Sequence, residues 1–195
     1  LVGSEMCIRD RLGALDEARS QLEQAGTIRA TALGSEDAET LRSELELTSV
    51  MIRENLLDEA ESRLRGSLPV RRRVLGDEDR QTLDTINNLA LILRMKGSYD
   101  EATTLYTELV DTRTRVHGAD DVDTLQSMHN LATLHWHTGA YEEAADWHEK
   151  TLAGRRAKLG PEDEATLKTM NNLAGTYSSL ERYGEARPLH ETSIE

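Results

Sequence analysis

The dipeptide Glu-Ala recurs at residues 17, 59, 101, 143 and 185, a constant step of 42 residues. A period in this range marks a chain assembled from copies of one supersecondary unit, each too small to bury its own apolar face. Other positions keep the same phase. Thr-Leu pairs begin at Thr40, Thr82, Thr124 and Thr166, and leucines stand at Leu47, Leu89, Leu131 and Leu173. Gly34, Gly76, Gly118 and Gly160 recur in step, each placed to end a helix in a backbone conformation that side chains resist. Asp37, Asp79, Asp121 and Asp163 follow three residues later, where a carboxylate can cap the next helix.

Each unit therefore reads as two helices. In the copy that starts at Asp79, the first is expected from about Asp79 to Lys96 and the second from about Tyr99 to His117, with Gly97 between them. Ile86, Leu89, Ala90 and Leu93 form the apolar stripe of the first, and Ala102, Leu105, Tyr106 and Leu109 that of the second. Two stripes on one hairpin must be buried against neighbouring hairpins. The expected fold class is all-α, a right-handed solenoid of stacked helix-turn-helix hairpins. Composition agrees: 4% aromatic residues, no Phe, Gly 13 and Pro 3 leave little material for strands and much for helix.

The expected boundaries are a partial repeat over residues 11–36, repeats over about 37–78, 79–120 and 121–162, and a truncated repeat over 163–195. The stretch 1–10 (LVGSEMCIRD) lacks the repeat pattern and resembles read-through of a sequencing adapter. It is expected to be a non-native N-terminal segment. The chain is expected to open in a second helix, Leu15 to Leu33, and to be a fragment of a longer protein. Pro69, inside a second helix, is expected to kink that helix or end it early. Pro188 is expected near the first turn of its helix, where a missing N–H costs little.

Leu89, Ala90, Gly97, Tyr99, Glu101, Ala102 and Tyr106 match the spacing of the tetratricopeptide signature. The pattern Leu-Gly-x-x-Asp-x-x-Thr-Leu followed by Asn-Asn-Leu-Ala, in Leu75 to Ala90 and again in Leu159 to Ala174, resembles the kinesin light chain subtype of that family. The repeat that starts at Asp37 departs from it, with Leu45-Glu46 in place of the Asn pair and Leu57 in place of the tyrosine. The resemblance implies that the face of each first helix opposite its apolar stripe lines a concave groove that holds ligand peptides.

On that face lie Asp84, Asn87, Asn88, Leu91, Arg94 and Met95, then Gln126, His129, Asn130, Thr133, Trp136 and His137, then Lys168, Asn171, Asn172, Gly175, Ser178 and Ser179. The expected peptide-binding set is Asn87, Asn88, Arg94, His129, Asn130, Trp136, His137, Lys168, Asn171 and Asn172. An amide both donates and accepts, so Asn88, Asn130 and Asn172 suit the backbone of an extended peptide. The alternative is that these asparagines bond the neighbouring repeat. Trp136 is the expected anchor, with a core tryptophan as its alternative. Arg42, Arg53, Arg94 and Lys168 outnumber Glu46 and Asp84 there, on a chain of net charge -13, so an acidic peptide is expected. The resemblance implies the same, since kinesin light chain grooves take a tryptophan flanked by acidic residues. The carboxylate clamp of chaperone-binding relatives is not matched, because Asn87 and Asn172 stand where that clamp uses basic residues.

The charge of -13 argues against nucleic acid as a partner. No membrane partner is expected, and a single cysteine, Cys7, leads to a cytoplasmic, intracellular expectation. His135 and His137, two apart on a helix, point to different faces, and with His129 and His148 they make no metal pair, so no metal and no cofactor are expected. Arg29, Arg71, Arg113 and Arg155 recur near the ends of second helices and are expected to meet the negative helix terminus. No nucleophile elbow, phosphate loop or carboxylate pair escapes the repeat, so no enzyme is expected. The function expected is a protein-interaction scaffold. Its alternatives are a spacer that self-associates end to end and the regulatory segment of a larger multidomain signalling enzyme.

Overall fold

The computed structural model describes the backbone of residues 2–192 and the side chains of residues 14–189. Among the described residues there is helix and turn but no strand. The elements are α1 (Val2–Leu33), α2 (Ala38–Arg53), α3 (Leu57–Val74), α4 (Arg80–Met95), α5 (Tyr99–His117), α6 (Val122–Thr138), α7 (Tyr141–Leu159), α8 (Glu164–Ser179) and α9 (Tyr183–Thr192). They form two compact units, one ending at Lys96 and one starting at Gly97. The fold class is that of an all-α solenoid.

Every even-numbered helix starts on the aspartate that the repeat predicted. Asp79 accepts from Gln81 N–H at 2.8 Å, Asp121 from Asp123 N–H at 3.0 Å and Asp163 from Ala165 N–H at 2.9 Å, so donors that a helix start leaves open are satisfied at each boundary. Gly76, Gly118 and Gly160 hold φ of 98°, 92° and 96°. At the tip of each hairpin a second left-handed residue turns the chain. It is glycine at Gly97 and Gly139, but Asn55 and Glu181 take φ of 62° and 58° at the equivalent places. Asparagine tolerates that region better than glutamate, so Glu181 carries the greater strain.

In the first unit α2 packs between α1 and α3 and lies beside α4; in the second α6 packs between α5 and α7 and lies beside α8. The first helices of successive hairpins thus sit side by side within each unit. Their apolar stripes are buried: Ile86, Leu89, Ala90 and Leu93 in α4, and Leu125, Leu131, Ala132 and Leu134 in α6. Second helices contribute less, with Ala102, Tyr106 and Leu109 from α5. Leu105, expected in that stripe, is half-buried.

Three local expectations are corrected. The first helix does not begin near Leu15, since α1 runs without interruption from Val2. Nor does Pro69 end its helix, because α3 continues five residues past it to Val74. Gly66 lies open on that helix, and Leu64, Ser67 and Arg71 anchor it on both sides of the proline, so packing outweighs one missing bond. Pro188 is the sixth residue of α9, past the first turn. The non-native reading of residues 1–10 concerns side chains outside those described.

Candidate functional site

A buried framework of arginines stands behind the first-helix faces. Arg71, Arg113 and Arg155 are 0%, 3% and 2% exposed, and each reaches beyond its own helix. Arg113 Nη1 donates to Asp123 O at 3.0 Å and Ser127 Oγ at 2.7 Å; Arg155 Nη1 donates to Ala165 O at 2.9 Å and Thr169 Oγ1 at 2.8 Å. Arg29 bonds Ser43 in the same way. Each arginine therefore ties a second helix to the following first helix, Arg113 and Arg155 at residues both ten and fourteen on, Arg71 at Gln81 ten on and Arg29 at Ser43 fourteen on. Arg71 also reaches back to Leu41 O, and Arg155 Nη2 donates to Gln126 Oε1 at 2.8 Å. Burial pushes both guanidinium groups below their ordinary range. The expectation that these residues complement their own helix ends is corrected. A hydroxyl at residues 43, 85, 127 and 169 was the signal available in the sequence, and it shares the 42-residue step.

In the second unit, α6 and α8 enclose a cavity of about 280 Å³ lined by Thr133, Trp136, His137, His148, Asn171, Asn172 and Gly175. All but His148 lie on the first-helix face. Trp136 is 40% exposed, so it is not a core residue. Its Nε1 donates to Ser179 Oγ at 3.3 Å, and its ring meets His137 edge-on with centroids 5.3 Å apart. His137 is exposed and stacks on Tyr99 at 6.5 Å. Lys168 and Asn171, both exposed, border an adjoining open hollow together with Asn172, Glu162 and Glu164.

His148 was not expected at the site, because it comes from α7. It is 1% exposed, and its Nδ1 has no hydrogen-bond partner among the described residues. Burial first, and the charge of Arg155 second, lower its pKa to about 4. The ring is therefore neutral near pH 7, and the cavity carries no charge on that wall.

His129, expected as a peptide contact, is only 3% exposed. It lies under the surface, 5.3 Å from His148 between ring centroids, with Thr169 Oγ1 at 3.4 Å from Nδ1 and Asn172 Nδ2 at 3.4 Å from Nε2. It supports Asn172 and offers no face of its own. Asn130 is half-buried, and its Oδ1 accepts from Gln126 Nε2 at 2.9 Å.

In the first unit, Asn87 and Asn88 border an open hollow of about 610 Å³ with Arg42, Glu46, Ser49 and Asp84. Asn88 Nδ2 donates to Ser49 Oγ at 3.2 Å, and Arg94 is half-buried. Asn88 and Asn172 thus each direct an amide hydrogen to the preceding first helix. Arg42 pairs with Glu46 at 3.3 Å, so two of the charges counted on that face are spent on each other.

Among the described residues no helix is long and apolar enough to cross a membrane, and no three His, Cys, Asp or Glu side chains are grouped as a metal site. The sequence matches the model of the tetratricopeptide repeat family over residues 49–112, 81–157 and 136–195. Similar solved structures include a Podosopora anserina protein named after kinesin light chain, with nearly identical tetratricopeptide-like repeats. It is 26% identical at a TM-score of 0.78, covering 94% of this chain and 87% of its own. BtubC (BKLC) from P. vanneervenii aligns at a TM-score of 0.83 and 23% identity, over 95% of this chain and 74% of its own. MamA aligns at 0.62 and 14% identity, over 95% and 90%. No curated protein matches the sequence.

Proposed function

The chain belongs to the tetratricopeptide repeat family, with repeats of the kinesin light chain-like type, and from that premise we propose that it is a non-catalytic scaffold binding an extended peptide along its first-helix face. The observation that carries this reading is the cavity of about 280 Å³ in the second unit. Its rim holds a large aromatic side chain that stays 40% exposed and two asparagines on one face. A hot spot needs such an exposed anchor beside polar groups that fix a backbone. The neutral ring of His148 and the indole of Trp136 suit an uncharged side chain in the cavity. Lys168, exposed beside the cavity and without an ion pair among the described residues, supports a preference for an acidic neighbour.

Panning a random peptide library displayed on phage against the whole chain tests the reading. Selected peptides are expected to lose at least tenfold in affinity when Trp136→Ala or Asn171→Ala is introduced, with the far-ultraviolet circular dichroism and melting curve unchanged. Peptides that bind both variants as well as the parent, or a library that yields none, would end it. Replacing acidic residues of a selected peptide by amides reads the charge preference, and Lys168→Glu should reverse it.

A further inference from the structure

We infer that Thr169, acting through His129, sets Asn172 with one amide hydrogen turned inward and its carboxamide oxygen at the cavity edge, where it accepts from an N–H donor of the ligand. The inference rests on the peptide-binding reading above and adds a polarity to it. Thr169 is the positioning residue.

The direction of each hydrogen bond follows from the chemistry of its donor. A guanidinium only donates, so Thr169 Oγ1 accepts from Arg155 at 2.8 Å. The Thr169 hydroxyl has one hydrogen, and it goes to Ala165 O at 2.8 Å rather than to His129 Nδ1 at 3.4 Å. The same back-bond occurs at Ser43, Thr85 and Ser127, at 2.9, 2.7 and 2.9 Å, whether or not a histidine faces it. With its hydrogen spent, Thr169 can only accept from His129, which places the imidazole hydrogen on Nδ1. In a neutral ring the other nitrogen is then an acceptor. Nε2 consequently takes a hydrogen from Asn172 Nδ2 at 3.4 Å.

Asn172 is left with one Nδ2 hydrogen and with Oδ1, which has no partner among the described residues, at the edge of the cavity. An amide held from beneath in this way cannot exchange its oxygen and its nitrogen. At Asn172 the oxygen complements a backbone N–H or another uncharged donor.

Long-range proton–nitrogen correlation of the imidazoles in the peptide-free chain at pH 7.5 tests the relay without a ligand. His129 is expected as the Nδ1–H tautomer. Thr169→Val is expected to shift it mostly to Nε2–H, while Thr169→Ser, which keeps the hydroxyl, preserves the parent spectrum. An Nε2–H or doubly protonated His129 in the parent chain would overturn the inference and leave peptide binding itself untouched, as would a Thr169→Val spectrum identical to the parent. A backbone N-methyl scan of a selected peptide then tests the consequence. One methylated position should cost about tenfold in affinity, and Asn172→Ala should abolish that sensitivity. If no N-methyl position depends on Asn172, the donor requirement is wrong.

Discussion

Replacing Arg155 with methionine is expected to destabilise the second unit by roughly 2–3 kcal/mol. The guanidinium donates to Ala165 O, Thr169 Oγ1 and Gln126 Oε1, and hydrogen bonds from a charged donor are typically worth about 1.5–3 kcal/mol each. Their simple total overstates the loss. Ala165 O and Thr169 Oγ1 keep the bond they make to each other, and Gln126 is exposed, so water can replace its partner. Against the lost bonds stands the cost of holding a cation at 2% exposure, visible as the depression of its pKa by burial. Methionine keeps most of the stem and avoids a large cavity, which isolates the head group; Arg155→Ala would add a cavity to the same loss. For a chain of this size the expected fall in melting temperature is roughly 5–10 °C. Hydrogen exchange should accelerate in α7 and α8 while α2 and α3 keep their protection, because stability in a repeat array is a sum of nearest-neighbour terms. A variant as stable as the parent, or more so, would refute the reasoning. Desolvation would then balance the bonds, and the arginine would recur for some other purpose.

Three further outcomes follow from individual side chains. His148, whose pKa is lowered to about 4 in the fold, refuses a proton that the unfolded chain accepts below about 6.5; its contribution is full above that pH and is lost as pH falls toward 4. The stability of His148→Gln minus that of the parent, measured by urea unfolding, should therefore improve by roughly 3 kcal/mol between pH 7 and pH 4, and a flat difference would contradict the burial of a neutral ring. Thr166 is 0% exposed with a hydroxyl that has no partner among the described residues, so Thr166→Val should raise stability by about 1 kcal/mol in chemical denaturation; a loss of that size would mean the hydroxyl is satisfied. At Gly154 a Cβ would stand 2.4 Å from Leu125 Cδ2, and Leu125 is 1% exposed, so Gly154→Ala should cost about 1–2 kcal/mol despite the better helix propensity of alanine, whereas a higher melting temperature would show that Leu125 can yield.

Helix positions and ends were legible in the sequence because they depend on local chemistry. An aspartate three residues after a glycine caps a helix through its own backbone neighbours, and a left-handed turn selects glycine within a few residues of chain. The aspartates at residues 37, 79, 121 and 163 and the glycines at 76, 118 and 160 therefore mark the boundaries found. The stripe of α4 was equally readable, because 3.6-residue spacing alone places Ile86, Leu89, Ala90 and Leu93 on one side.

What only the tertiary structure decided depends on neighbours distant in sequence. His129 and Trp136 are both seven or fewer residues from Asn130 on one helix, yet His129 is 3% exposed and Trp136 is 40% exposed. His129 is enclosed by His148 of α7 and by Thr169 and Asn172 of α8, whereas Trp136 meets the same helices only near their ends, at Tyr141 and Ser179. Arg155 looks like a cation placed for a helix end until α8 is beside it and supplies Ala165 O and Thr169. Pro69 breaks a local rule that the packing of α3 overrides. The orientation inferred for Asn172 needs a chain of donors and acceptors running through α8 and α6, because hydrogen-bond direction is a property of the assembled network and not of any residue in it.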